Sequence, residues 1–191
     1  FITGNIPSEI GVLKYLRWLD LRINHLEGAI PSEIGLMSNV ASISLADNEL
    51  SGSIPSELGL LQGMRKSSGW APQKFLSLHR NSITGTIPSE LGNLNGLNHL
   101  LLDNNGITGT IPSELGQLDR TLILSLDTNN LTGTIPASFG NLNSVIFFLV
   151  SHNDLTGQVP AEVCSLLAPL GNLDIVAADC VEEVECDCCR F

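Results

Sequence analysis

Thr84-Gly-Thr-Ile-Pro-Ser-Glu-Leu-Gly92 is written again, residue for residue, at 108–116, and returns as Thr132-Gly-Thr-Ile-Pro-Ala-Ser-Phe-Gly140. Its G-x-[IV]-P element occurs at Gly4–Pro7, Gly28–Pro31, Gly52–Pro55, Gly85–Pro88, Gly109–Pro112, Gly133–Pro136 and Gly157–Pro160. Successive prolines are 24, 24, 33, 24, 24 and 24 residues apart. Self-similarity at a fixed period of this size marks a chain built from stacked units rather than one globular core.

Each unit carries the same apolar frame. Leu16-x-x-Leu19-x-Leu21-x-x-Asn24-x-Leu26 sets it, and Val40, Ile43, Leu45, Asn48 and Leu50 repeat it. Leu97, Leu100, Leu102, Asn105 and Ile107 follow, then Val145, Phe148, Val150, Asn153 and Leu155. Thr121 breaks the first position of its unit. Apolar residues two apart, as in Leu19-Asp20-Leu21, have the period of a strand with one buried face. One such strand cannot bury that face alone; stacked neighbours make a parallel sheet over a continuous core. The asparagine column (Asn24, Asn48, Asn81, Asn105, Asn129, Asn153) stands where the chain leaves the sheet, and an amide there satisfies orphaned backbone groups. Pro-Ser-Glu predicts a short helical turn opened by proline and closed at the following glycine, such as Gly35 or Gly92.

The frame closely resembles the plant-type, 24-residue leucine-rich repeat, L-x-x-L-x-L-x-x-N-x-L-[ST]-G-x-I-P-x-x-[LI]-G, over residues 1 to about 178. The resemblance implies a right-handed α/β solenoid, with a parallel sheet on the concave face and short helical or 3-10 turns on the convex face. Repeats are expected over 1–163, the first incomplete, and a cysteine-rich acidic cap over 164–191.

Bulk composition narrows the function. There are 20 acidic against 9 basic residues, a formal charge of −11. That balance argues against nucleic acid and against anionic membrane surfaces. No apolar run reaches the length of a membrane span; the longest, 145–150, suits a buried strand. Since the chain opens inside a repeat, its N-terminal cap is expected to be missing, and an uncapped first coil exposing Ile2, Ile6 and Ile10 should fray.

The 33-residue interval holds nine extra residues (33 − 24) within Arg65–Phe75. Arg65, Lys66, Trp70 and Lys74 make this insertion basic and partly aromatic, either a binding loop or a tolerated surface insertion. Cys164, Cys180, Cys186, Cys188 and Cys189 lie at the other end, among acidic residues. Cysteine-stapled caps are usual in extracellular relatives of the resembled family, so these are disulfide candidates and imply an oxidising compartment. Their connectivity stays open, since five is odd. A metal site at Cys186-x-Cys188-Cys189 lacks paired zinc spacing. The acidic column Glu9, Glu33, Glu57, Glu90, Glu114 and Glu162, interrupted by Ser138, reads as a solvated convex side.

No catalytic constellation stands out: there is no G-x-S-x-G, phosphate loop or C-x-x-C, and the four histidines share no metal spacing. Neither enzyme activity nor a cofactor is expected. What varies while the frame is fixed is the outward side of the concave strands: Trp18, Asp20 and Arg22; Ser42, Ser44 and Ala46; Ser77, His79 and Arg80; His99, Leu101 and Asp103; Ile123, Ser125 and Asp127; Phe147, Leu149 and Ser151. A rigid frame with variable side chains suits recognition of a protein, peptide or glycan, in a secreted or cell-surface setting such as that of the plant receptor-kinase ectodomains and polygalacturonase inhibitors it resembles. Asn130-Leu131-Thr132 is a glycosylation sequon compatible with secretion. Two alternatives stay open. Thr84/Thr86, Thr108/Thr110 and Thr132/Thr134 form a Thr-Gly-Thr ladder of the kind that ice-binding solenoids present, although T-G-x-I-P also belongs to the frame. A purely structural surface protein would show no cluster on its exposed faces.

Overall fold

A computed structural model describes residues 1–65, 73–167, 173, 175–177 and 184–185. Each coil begins with a three-residue strand: Trp18–Asp20, Ser42–Ser44, Phe75–Ser77, His99–Leu101, Ile123–Ser125 and Phe147–Leu149, joined at one edge by Ile175–Ala177. These seven pair in parallel, each with the next coil, to form the concave sheet. The middle residue of the first six, such as Leu19, Ile43 or Leu100, is buried and the flanking residues face outward, as the two-residue period predicts.

The buried residues form one continuous aliphatic core running from Ile6 to Leu173. Each fully buried aliphatic side chain contributes roughly 1.5–3 kcal/mol, offset by chain entropy. Near the far end two aromatics replace aliphatics, and Phe139 meets Phe148 edge-on at 5.4 Å. Thr121, the position that departs from the frame, is fully buried but donates its hydroxyl to the Leu97 carbonyl at 3.1 Å, so its polarity is satisfied.

The asparagine column works as a staple between coils. Asn129 Nδ2 donates to the carbonyls of Leu126 and Asp127 in its own coil and of Leu102 in the preceding one, at 3.1–3.2 Å. Its Oδ1 accepts from the Ile107 amide at 3.0 Å. Asn48, Asn81, Asn105 and Asn153 repeat the arrangement. The residue just before each asparagine is left-handed: Ile23, Asp47, Arg80, Asn104, Thr128 and His152 have φ of 53–56°.

A second set of strands, which the sequence pattern does not announce, flanks the first. Thr3–Asn5, His25–Ala29, Glu49–Ser53 and Ser82–Thr84 form one parallel sheet; Thr108–Thr110, Asn130–Gly133 and Asp154–Leu155 form another. The 3-10 turns then run outside, as in Ser32–Leu36, Ser89–Asn93 and Ser113–Gln117, and the last of the series, Ala161–Cys164, is α-helical.

Glycine roles differ from the sequence reading in one respect. The proline is the extended residue before each turn (Pro88 φ −66°, ψ 132°), and the turn runs one residue past the glycine. Gly92 therefore does not cap the turn; a Cβ there would meet the carbonyl oxygen of Glu114, in the next coil, at 2.3 Å. The glycine of the G-x-I-P element is the conformational one, with φ +79° at Gly109. The insertion leaves this stack undisturbed: Gly59 makes the same close approach to Glu90 on its far side, and Ile43 pairs with Leu76 in register.

Candidate functional site

The outward positions of the concave strands come together around a cavity of about 290 Å³, lined by Arg22, Ile23, Ser44, Ala46, Asp47, Phe75, Ser77, His79, His99 and Leu101. Parallel pairing puts neighbouring coils in lateral contact, so residues 24 or 33 apart in sequence share one wall. Phe75, at the junction with the insertion, stands at the repeat position of Trp18, His99 and Ile123. Its ring meets Trp18 edge-on at 5.5 Å. Trp18 remains 58% exposed.

The polar side chains are ordered by one another. Ser77 Oγ lies 2.9 Å from His79 Nδ1. His79 Nε2 faces Asp47 Oδ2 at 3.8 Å, and Arg80 Nη1 donates to Asp47 Oδ1 at 3.4 Å. Serine, histidine and aspartate fall in line here, with the Ser77 hydroxyl engaged by the imidazole, but the 3.8 Å between His79 Nε2 and Asp47 Oδ2 is longer than a hydrogen bond. Arg22 pairs with Asp20 at 3.2 Å. His99 is half-buried, and that burial holds its imidazole below the usual range.

Beyond the cavity the same face continues through Asp103, Ile123, Ser125, Asp127, Phe147, Leu149 and Ser151. Asp127 Oδ1 accepts from Ser125 Oγ at 2.7 Å, and Asp103 Oδ2 accepts from Asn104 Nδ2 at 3.0 Å. Ser42, Ser44, Ser77 and Ser125 lie on this face but are buried. Ile23, Asp47 and Phe75 complete the cavity without having been singled out by the sequence. Phe75 was masked by the insertion beside it, although counting back 24 residues from His99 finds it. Asp47 belongs to the left-handed column, whose residue types vary too much to announce a site.

The remaining sequence-predicted residues lie elsewhere. Lys74 is buried at 5% exposure, its ammonium donating to the Arg65 carbonyl. Burial, reinforced by the charge of Arg120, holds that ammonium below the usual lysine range. Arg65 is exposed and donates to the Gly59 carbonyl at 3.3 Å. Lys66, Trp70, Cys180, Cys186, Cys188 and Cys189 lie outside the described residues. Asn130 is exposed at the start of its strand. Among the described residues no group of His, Cys, Asp and Glu is placed to hold a metal ion, and no helix is long and apolar enough to cross a membrane.

A second, wider groove of about 1100 Å³ follows the I-P-S-E segments on the outer side, lined by Ser56, Glu57, Thr86, Ser89, Glu90 and Thr110 among others. Of the threonine ladder, the second-column residues Thr86 and Thr110 line it. Thr84, Thr108 and Thr156 donate their hydroxyls to the carbonyls of Gly52, Gly85 and Gly133 in the preceding coil, at 3.1–3.4 Å. In the second column the methyls of Thr86 and Thr110 cover Gly109 and Gly133 of the following coil.

The Leucine Rich Repeat profile matches residues 15–37, 39–61, 74–94, 96–118 and 121–142, more than half of the chain. The chain belongs to the leucine-rich repeat family. No curated protein matches the sequence significantly. Among solved structures, this leucine-rich repeat chain is similar to the ectodomain of the Arabidopsis thaliana membrane receptor kinase GASSHO1/SCHENGEN3 in complex with CASPARIAN STRIP INTEGRITY FACTOR 2. The identity is 33% and the TM-score 0.81, over 92% of this chain and 19% of that one. It is similar also to the PEPR1–AtPEP1 structure, at 30% identity and TM-score 0.81, over 96% of this chain and 24% of that one. The leucine-rich repeats described here thus span about a fifth to a quarter of the receptors they match. A plant ice-binding protein shares the fold at 24% identity and TM-score 0.64, over 97% of this chain and 62% of that one.

Proposed function

We propose that this leucine-rich repeat solenoid is a non-catalytic extracellular binding module that recognises a peptide, protein or glycan through its concave face. The cavity between Arg22 and Leu101 carries the reading: apolar walls beside oriented polar groups, held on a rigid parallel sheet, are what a recognition site needs. The receptor ectodomains similar to this chain, one of them crystallised with CASPARIAN STRIP INTEGRITY FACTOR 2, support it. An oxidising setting is supported by Cys164, which is disulfide-bonded. Asn130, exposed within its sequon, is then a glycosylation site, and residues 164–191 are the stapled cap that closes the solenoid. Peptide and glycan arrays probed with the purified protein test the reading. Binding that Leu101→Arg abolishes supports it; binding that survives this change, or none on either array, rejects it.

The threonine ladder supports a second reading as an ice-binding surface. Both columns are exposed, and among the described residues the hydroxyls of Thr86, Thr110 and Thr134 make no hydrogen bond. Against it, three first-column hydroxyls are committed to backbone carbonyls. Thermal hysteresis in the purified protein, lost on Thr110→Val together with Thr134→Val, decides the matter.

A further inference from the structure

Resting on the concave-face reading, we infer that the cavity and the rim beside it form a subsite for an extended peptide segment carrying one apolar anchor and one neighbouring Lys or Arg. Three observations carry this. The cavity presents Phe75, Leu101, Ile23 and Ala46, apolar surface that an aliphatic or aromatic side chain covers. Ser44 also lines it; this residue is only 4% exposed, and among the described residues its hydroxyl makes no hydrogen bond. That hydroxyl opens to the cavity rather than being sealed in the core, so a peptide backbone amide or carbonyl can bond it there.

Charge supplies the third observation. On the near side of the cavity both carboxylates are neutralised, Asp20 by Arg22 at 3.2 Å and Asp47 by Arg80 at 3.4 Å. On the far side Asp103 and Asp127 meet only neutral groups: Asn104, Ser125 and Thr128. Among the described residues neither has a cation partner. They hold the same position in adjacent coils, where Leu101 pairs with Ser125 and the Asn104 amide donates to the Asp127 carbonyl at 3.0 Å. Coils pack at about 4.8 Å, so one ammonium or guanidinium can serve both half-buried carboxylates. Leu101, on the cavity wall, is two residues from Asp103 along the same strand exit. A ligand with its apolar side chain in the cavity therefore brings an adjacent basic side chain over the pair. The formal charge of −11 draws such a ligand in from a distance. An acidic peptide meets repulsion at the same place.

Glycine-serine peptides holding one Leu and one variable residue (Lys, norleucine or Glu) at scanned spacings test this by fluorescence anisotropy. Lys is expected to be preferred over norleucine, with a preference that weakens as salt is raised. Asp103→Asn with Asp127→Asn keeps the oxygen that Ser125 bonds; it is expected to remove the Lys preference, a loss of up to about ten-fold in affinity for the Lys peptide with the norleucine peptide unchanged. Ser44→Ala is expected to weaken all peptides alike. Equal binding of Lys and norleucine peptides overturns the inference, as does a Lys preference that survives the double substitution or an absence of peptide binding. If peptides bind without charge preference but Leu101→Arg blocks them, this inference falls while the concave-face reading stands; if glycans alone bind, the same holds.

Discussion

A single methyl group decides whether neighbouring coils fit. At Gly92 the Cβ of an alanine would lie 2.3 Å from the Glu114 carbonyl oxygen, and that oxygen is backbone, which cannot step aside cheaply. Gly92→Ala is expected to destabilise by about 1–3 kcal/mol, as overpacking does, measured by chemical denaturation against the wild-type chain. The opposite sign is expected one column away. Thr128 is β-branched yet sits at φ 55°, where a branched Cβ is strained. Thr128→Asn keeps a polar side chain, relieves that strain, and should stabilise by about 0.5–1 kcal/mol, read as a rise in Tm. His99 brings a pH dependence. Burial lowers its folded-state pKa below the ordinary 6.5, so the unfolded chain takes up this proton more readily. Its contribution is therefore intact above about pH 6.5 and lost as pH falls toward the depressed folded value. His99→Gln is expected to lose less stability than wild type on going from about pH 7 to pH 5, in thermal melts across that window.

At the scale of elements, the sequence carried most of the fold because each framework residue answers a demand that recurs in every coil. Leu19, Asn24 and Leu26 have equivalents at fixed spacing, and their buried and stapling roles follow from that spacing alone. The second row of strands did not show, since Thr108-Gly-Thr110 reads as turn chemistry and pairs only because the next coil presents Asn130–Thr132 alongside. The site was less legible than the frame. Whether Ser44 is exposed depends on the size of residues in neighbouring coils, and no local pattern records that. Coil ends differ from coil interiors too. Thr3–Asn5 pairs with His25–Ala29 on one side alone, with Ile2 exposed while Ile6 is buried. Amides of this first coil are expected to exchange faster than those of Thr108–Thr110, which is held between neighbours; slower exchange at Thr3–Asn5 in a hydrogen-exchange experiment contradicts the expectation.

Over the whole molecule, strand pairing and turn packing join adjoining coils, so stability is close to a sum of coils and junctions. The outer glutamates Glu57, Glu90 and Glu114 recur along one groove and repel one another through solvent. Added salt screens that repulsion, and Tm is expected to rise between low ionic strength and about 0.5 M sodium chloride.

The glycine-to-carbonyl junction has one further consequence. Gly92 abuts Glu114 as Gly116 abuts Ser138, so these two seams are cut to the same shape. Excising residues 93–116 as a cassette brings Gly92 against Ser138 with the joint unchanged. Such a chain can lengthen or shorten by whole units without redesign, and a gene that gains or drops a coil alters how far the protein reaches while leaving how it is held together untouched.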